Sequence, residues 1–162
     1  MFKLQHKVTP FLWLDSQASV AAAQYVKLFG AGRIVHEQRW GEGAHQPPGS
    51  VMAVTLELGG QTLMLFNGGP HFKLNPAASL FVQCDDQAEV DRLWEGLIEG
   101  GGAPSQCGWL VDRFGLSWQI VPSAFLHMVA DSDGARVARV MAAMMEMVKL
   151  DISGLQRAFD GA

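Results

Sequence analysis

Few side chains in this sequence combine a reactive group with a position where it could be used. Cys107 stands between a glutamine and a glycine, and its use as a nucleophile would need an activated thiolate and a neighbouring base. His71 lies in a segment rich in turn-forming residues, where a histidine can act as a general acid or base near neutral pH. The structural alternatives are a small residue at a strand end for Cys107 and an exposed loop residue for His71.

Amides and aromatic rings could bind a ligand without reacting with it. Asn67 and Gln119 end predicted strands, where an amide either orients a ligand's carbonyl or hydroxyl group or caps backbone groups. Aromatic rings stack on flat, conjugated molecules, and they also fill space between sheets and helices. The aromatic side chains on or beside predicted strands and in the connector are Trp13, Trp40, Phe66, Phe72, Trp109 and Trp118.

Strand alternation narrows this set. It places Trp118 and Gln119 on opposite faces of one strand, so both cannot line the same pocket unless a bulge intervenes. We therefore expect a small hydrophobic or aromatic ligand to be bound by Trp13, Phe66, Asn67, Phe72, Trp109 and Gln119.

A metal centre is not expected. A catalytic divalent ion needs about three converging ligands, normally imidazole nitrogens and carboxylates. The predicted strands contain four residues of these types, namely His36, Glu37, Glu57 and Asp112. Because His36 and Glu37 are adjacent, they point to opposite faces of their strand. We predict no bound metal and no cofactor.

Hydrophobic periodicity and turn residues predict the same order of elements twice, a strand, a helix and three strands. The first set comprises strands at 8–14, 33–40, 51–58 and 61–66 and a helix at 17–29, with Asp15 or Ser16 as its N-cap. The second comprises strands at 79–84, near 105–107, at 109–112 and at 116–121, and a helix that opens with the capping box Asp86 and Glu89 and runs to about 99. Further helices are predicted at 135–149 and 151–159.

The repeat predicts an α+β fold in which paired βαβββ modules form a curved mixed sheet around a cleft. We expect a single domain over 1–162, with module one at 7–67, module two at 77–122 and a helical C-terminal extension at 123–160. In that extension Met141, Met144, Met145 and Val148 form a broad apolar side. We expect it to pack on a sheet or a dimer partner rather than to form a ligand groove.

Composition excludes several classes of partner. The 162 residues are 49% hydrophobic and 17% charged, with a net charge of −4, so neither nucleic acid nor an anionic membrane surface is an expected partner. Apolar runs are far shorter than the roughly 18 residues of a membrane span. Two cysteines and no recognisable signal segment at the start predict a cytoplasmic location.

Three strings of residues carry a family resemblance, at 8–13 (VTPFLW), 67–72 (NGGPHF) and 106–122 (QCGWL, then DRFGLSWQIVP). With the paired element order, they resemble the PhnB-like branch, often labelled demethylubiquinone methyltransferase-like, of the vicinal-oxygen-chelate or glyoxalase–bleomycin-resistance–dioxygenase superfamily. The resemblance extends over nearly the whole chain, including the Met-rich helix, and implies a homodimer. Carried over, the superfamily's metal-ligand positions fall near Pro10, Leu63, Ser79 and Gln119, of which only Gln119 could bind a metal.

The methyltransferase label is not matched by an ordinary adenosyl-cofactor motif, which is a glycine-rich turn between a strand and a helix. The glycine clusters at 59–60, 68–69 and 100–102 fall elsewhere. We therefore favour metal-free binding of a small molecule. One alternative is an enzyme (a lyase, an isomerase or a methyltransferase) that uses His71, Cys107 and Gln119. The other is a metal enzyme of the superfamily type.

Overall fold

The computed structural model describes Leu4, residues 6–44 and residues 46–162, and it separates into two units, Met1–Leu74 and Asn75–Ala162. Residues 1–3, 5 and 45, which the predicted single domain includes, lie outside the described residues. The fold is α+β, as predicted, with one open four-stranded mixed sheet in each unit. In the described chain no helix has the length and apolar character of a membrane span.

The first unit contains β1 (Phe11–Leu14), α1 (Ala18–Phe29), β2 (Gly32–Arg39), β3 (Val51–Leu58) and β4 (Gln61–Asn67). Its sheet has the order β1-β4-β3-β2, with β1 parallel to β4 and the other neighbours antiparallel. Gly59 and Gly60 form the tight turn between β3 and β4, at φ 55° and 81°, where glycine avoids the steric penalty of the left-handed region.

The second unit begins with β5 (Ser79–Cys84), α2 (Gln87–Ile98), β6 (Ala103–Pro104), β7 (Trp109–Val111) and β8 (Ser117–Pro122). Its sheet order, β5-β8-β7-β6 with β5 parallel to β8, repeats that of the first unit element for element. The repeat of βαβββ predicted from the sequence is therefore confirmed.

The N-termini of α1 and α2 are capped in different ways. At α2 the predicted N-cap is confirmed, since the Asp86 carboxylate accepts a 2.8 Å hydrogen bond from the backbone N–H of Glu89. The second bond of the predicted capping box is displaced by one residue, because the Glu89 carboxylate accepts a 2.9 Å bond from the N–H of Asp85. At α1 the expected caps Asp15 and Ser16 are wrong, because the N-cap is Gln17 and it makes no side-chain cap. Local sequence missed this cap because Asn67, at the end of β4, provides it from 49 residues away.

Two predicted strands differ from the structure. The strand expected near 105–107 is wrong, and the pairing lies instead at Ala103–Pro104. Cys107 adopts φ 58°, which is a left-handed turn conformation that a strand does not allow. The first strand begins at Phe11 and not at residue 8, with Val8 84% exposed.

The C-terminal extension forms α3 (Ser123–Val129), α4 (Gly134–Met145) and α5 (Ile152–Asp160). Their apolar side chains form a cluster with Val121 of β8, whose buried members are Met128, Val140, Leu150 and Leu155. Met144 and Met147 pack against this cluster. Met141, Met145 and Val148 are 39%, 58% and 48% exposed. The prediction that they pack on a sheet of the chain is therefore wrong.

Candidate functional site

One face of the first sheet is covered by α1 and the other carries aromatic side chains. Leu65 of β4 pairs with Val54 of β3, and side chains at alternate positions from these point to the same face of the sheet. On this face Asn67 and Glu37 hydrogen-bond to residues of α1. Trp13 of β1 pairs with Phe66 of β4, and both occupy the intervening positions of their strands. Their rings therefore lie on the face away from α1.

Five rings form what we call the aromatic cluster, which comprises Phe11, Trp13, Trp40, Phe66 and Phe72. The ring centroids of Trp13 and Phe66 are 5.1 Å apart in an edge-to-face arrangement, and those of Trp13 and Phe72 are also 5.1 Å apart. Phe11 is 53% exposed and Phe72 is 60% exposed. Large apolar rings that remain open at the surface in a contiguous group are characteristic of binding sites.

The indole of Trp13 is fixed in place by the segment that follows β4. Its Nε1–H donates a 2.9 Å hydrogen bond to the carbonyl oxygen of Gly69. A Cβ atom at Gly68 would overlap the indole ring, so any other residue at this position would force the ring to move. The string at 67–72 is thereby explained, because it leaves space for the Trp13 ring, orients it and adds Phe72 to the cluster.

Asn67 has a structural role that the sequence left open. Its Oδ1 accepts a 2.8 Å hydrogen bond from the Ala18 N–H, and its Nδ2 donates a 3.0 Å bond to the Val51 carbonyl oxygen. The amide also lines a cavity of about 380 Å³, together with Trp40, Ser19 and Asp15. Because an amide can form more than these two bonds, Asn67 can still bind a ligand group.

His71 lies at the margin of the aromatic cluster. It is exposed, and its ring centroid is 4.7 Å from that of Phe72 in an edge-to-face arrangement. The structure thus brings together three of the predicted ligand-binding residues and one predicted catalytic residue, which are Trp13, Phe66, Phe72 and His71. The Asn67 side chain lies on the α1 face of the sheet and reaches only the cavity beside Trp40. Two cluster members, Phe11 and Trp40, were not among the predicted ligand-binding residues, although alternation in the first strand already places Phe11 on the face of Trp13.

Trp109 and Gln119 belong to the second unit. They are register partners on β7 and β8, on the sheet face away from α2, and the Gln119 Nε2 donates a 2.9 Å hydrogen bond to the Ser79 hydroxyl. Trp118 lies on the other face, where it is buried and its Nε1–H donates to the Asp112 carboxylate at 2.9 Å. The opposite orientation of Trp118 and Gln119 agrees with strand alternation.

Cys107 also belongs to the second unit, whereas His71 belongs to the first. In the described part of the chain the Cys107 thiol contacts the sulfur and the carbonyl oxygen of Met145, at 3.8 and 4.0 Å. Neither atom is a base that could activate a thiolate. The other thiol, Cys84, is buried in the second sheet, and burial raises its pKa to about 12.

The residues at the superfamily's metal positions do not fit a divalent cation. Pro10 and Leu63 offer no side-chain ligand, and Ser79 and Gln119 hydrogen-bond to each other. Among the described residues, no group of three or more histidines, cysteines and carboxylates is placed to hold a metal. The two strand-to-helix turns, at 15–17 and 85–86, have no glycine and thus do not fit the ordinary adenosyl-cofactor turn either.

Comparison with known proteins gives one family and a set of solved structures. Residues 6–121 match the family model of 3-demethylubiquinone-9 3-methyltransferase. A Bacillus cereus PhnB protein, described under the same enzyme name, is 31% identical with a TM-score of 0.66, and the match covers 72% of this chain and 99% of that one. No curated protein matches the chain.

A more distant structure shares the fold. Protein PA1353 from Pseudomonas aeruginosa is 22% identical with a TM-score of 0.60, over 73% of this chain and 98% of that one. A glyoxylase/bleomycin resistance protein/dioxygenase domain from Frankia is 12% identical with a TM-score of 0.48, over 74% of this chain and 93% of that one. The family match ends at residue 121, short of the Met-rich helix to which we expected the resemblance to extend.

Proposed function

The chain belongs to the 3-demethylubiquinone-9 3-methyltransferase-like, or PhnB-like, family, and from this premise we propose that it binds a small, flat hydrophobic or aromatic molecule without a metal ion. The observation that carries the proposal is the open aromatic cluster of the first unit. Binding by such a surface needs shape, aromatic area and a few polar anchors, and requires no reactive group.

The aromatic cluster is prepared for stacking before a ligand arrives. The hydrogen bond from Trp13 to Gly69 and the edge-to-face contacts with Phe66 and Phe72 limit the movement of the Trp13 ring. A ligand therefore loses less free energy to the ordering of side chains than it would on mobile rings. The cavity next to Trp40 and Asn67 adds hydrogen-bonding groups for a polar substituent of the ligand.

In the second unit, Trp109 and Gln119 offer a ring and an amide that are proposed to bind a small molecule of the same kind. They stand on the sheet face away from α2, next to the half-exposed ring of Phe81. The Gln119 carbonyl oxygen is available to accept a hydrogen bond, since its amide nitrogen donates to Ser79.

Two further properties remain proposals. Family membership supports a homodimer, and so do the edge strands β1 and β5, since an edge strand presents backbone groups that can pair with a second copy. Sedimentation velocity at several concentrations tests this state, and a monomer throughout would contradict it. The location is proposed to be cytoplasmic.

The binding proposal is tested by a thermal-shift screen of planar aromatic compounds, followed by titration of tryptophan fluorescence in the presence and absence of a chelator. A compound at 100 times its Kd stabilises the fold by about 2.7 kcal/mol, which is a measurable shift in Tm. Phe72→Ala should weaken binding roughly 10- to 100-fold, since the loss of one stacking ring costs about 1–3 kcal/mol. Val20→Ala, at a half-exposed position on α1, is the matched control and should bind normally.

Binding that requires an added divalent metal, or that is equally strong in Phe72→Ala, would contradict the proposal. Loss of binding in both variants would indicate a general effect on the fold.

A further inference from the structure

The second unit has a feature that ligand binding by the aromatic cluster does not use. Cys107 adopts φ 58°, and among the described residues it is the one non-glycine residue with a positive φ. Its backbone N–H donates a 2.7 Å hydrogen bond to Met147, and the N–H of Gly108 donates a 2.8 Å bond to Val148. These two bonds hold the cysteine against the segment that follows α4.

This arrangement brings sulfur atoms together at the surface. The Cys107 Sγ lies 3.8 Å from the Sδ of Met145, which is 58% exposed. Met141 is four residues earlier on α4 and 39% exposed, so it shares the helix face of Met145. Methionines on this helix that serve packing, such as Met144, turn toward the apolar cluster instead.

We propose that Cys107 and Met145, with Met141 as the third donor, form a binding site for monovalent copper. Thiolate and thioether sulfurs are the ligands that select Cu(I) over harder divalent cations. With metal–sulfur bonds of about 2.3 Å, a sulfur–sulfur distance of 3.8 Å corresponds to an S–Cu–S angle of about 110°, which leaves room for a third sulfur.

Binding involves no electron transfer. The thiol S–H bond of Cys107 breaks, a sulfur–copper bond forms, and the proton is released to solvent. The thiolate carries one negative charge and both thioethers are neutral, so the single positive charge of Cu(I) is balanced within the site. The proposal is independent of the ligand proposed for the aromatic cluster, because it uses only residues of the second unit.

The test is a titration of the full chain with Cu(I) under anaerobic conditions, in competition with the chromogenic chelator bicinchoninate. We expect one Cu(I) per chain and one proton released per Cu(I) bound. Met145→Leu removes a sulfur ligand and should weaken Cu(I) binding by at least roughly 10-fold. Substitution of a residue that merely orients a metal ligand already lowers the affinity for the metal by about this factor. Met144→Leu, a change of the same type one residue away, should bind as the unsubstituted chain does.

Cys107→Gly removes the thiol while suiting the left-handed backbone, and it should abolish binding with the circular dichroism spectrum retained. Cys107→Ser gives the same readout should the glycine variant not fold. Failure of the unsubstituted chain to compete for Cu(I), or equal binding by Met145→Leu or by a folded Cys107 variant, would overturn the site. Equal weakening by Met144→Leu and Met145→Leu would overturn it as well, since the effect would then be one of packing.

Discussion

At the scale of single residues, the aromatic cluster depends on a glycine as much as on its rings. Gly68 lies under the Trp13 indole, and Gly69 at φ 83° turns its carbonyl oxygen toward the indole N–H. Small residues at such positions allow the backbone to pass close to a large ring. The string at 67–72 therefore acts as a support for the rings as well as a source of one of them.

We expect Gly68→Ala to destabilise the fold by about 1–3 kcal/mol, because the added methyl group overlaps the Trp13 ring and forces it to move. Urea denaturation followed by tryptophan fluorescence measures the change. Gly41→Ala is the control, since a Cβ at that position meets no atom within 4 Å. Equal stabilities of the two variants would show that the Trp13 ring can shift without cost.

The two cysteines should differ in reactivity. Cys84 is fully buried and burial raises its pKa to about 12, whereas the Cys107 thiol is partly accessible. We expect one thiol per chain to react with a disulfide reagent at pH 8 in the native state, and two in denaturant. In Cys107→Ser no thiol should react with the reagent in the native state. A reaction of the native variant would mean that the second sheet opens and exposes Cys84.

At the scale of elements, the two helices that cover the sheets differ in how they begin. The N-terminus of α2 is capped within its own sequence by Asp86, and that of α1 is capped by the distant Asn67. Because Asn67 also bonds to Val51 of β3, it links the start of α1, the end of β4 and the neighbouring strand. The same residue that borders the candidate ligand cavity thus holds three elements of the first unit together.

Asp86→Ala should lower the free energy of unfolding by about 1 kcal/mol, since it leaves a backbone N–H of the first turn of α2 without its acceptor. Asp85→Ala, one residue earlier, is the control and should change stability much less. Urea denaturation of both variants measures the difference. An equal loss would mean that the negative charge near the helix N-terminus matters more than the hydrogen bond.

At the scale of the whole molecule, three carboxylates support the C-terminal extension, two as caps of its own helices and one as an ion pair with it. Asp133 and Asp151 cap α4 and α5, and Asp91 of α2 pairs with Lys149 at 2.6 Å. Hydrogen bonds lower the pKa of each of these carboxyls. The donors are backbone N–H groups for Asp133, the Lys149 side chain for Asp91 and the Ser153 side chain for Asp151. The extension lies beyond residue 121, where the family match ends.

These shifts predict that acid weakens the second unit. A carboxyl with a lower pKa in the folded chain binds fewer protons there than in the unfolded chain, so its contribution is complete above the ordinary pKa near 3.9. That contribution is lost as the pH falls below this value through the folded pKa. We expect helical circular dichroism to become less resistant to heat from about pH 4 downward.

The variant that tests this carries Asp133→Asn and Asp151→Asn together. Asparagine caps a helix about as well as aspartate and does not titrate. Its thermal stability should therefore depend less on pH between about pH 4 and 3 than that of the unsubstituted chain. An equally steep dependence in the variant would place the acid sensitivity elsewhere.

The sequence by itself determined the α+β class, the twice-repeated element order, the glycine turn at 59–60 and the N-cap Asp86 of α2. Each of these follows from hydrophobic periodicity or turn chemistry within a few neighbouring residues, which is why local patterns were sufficient. The same patterns placed a strand at 105–107, where a turn pinned to the C-terminal extension stands instead.

Only the tertiary structure decided which side chains meet. The contact of Trp13 with Gly69 spans 56 residues, the cap by Asn67 spans 49, and the contact of Cys107 with Met145 spans 38. Such contacts depend on how strands pair and where helices pack, and neither is encoded in the residues next to Trp13, Asn67 or Cys107.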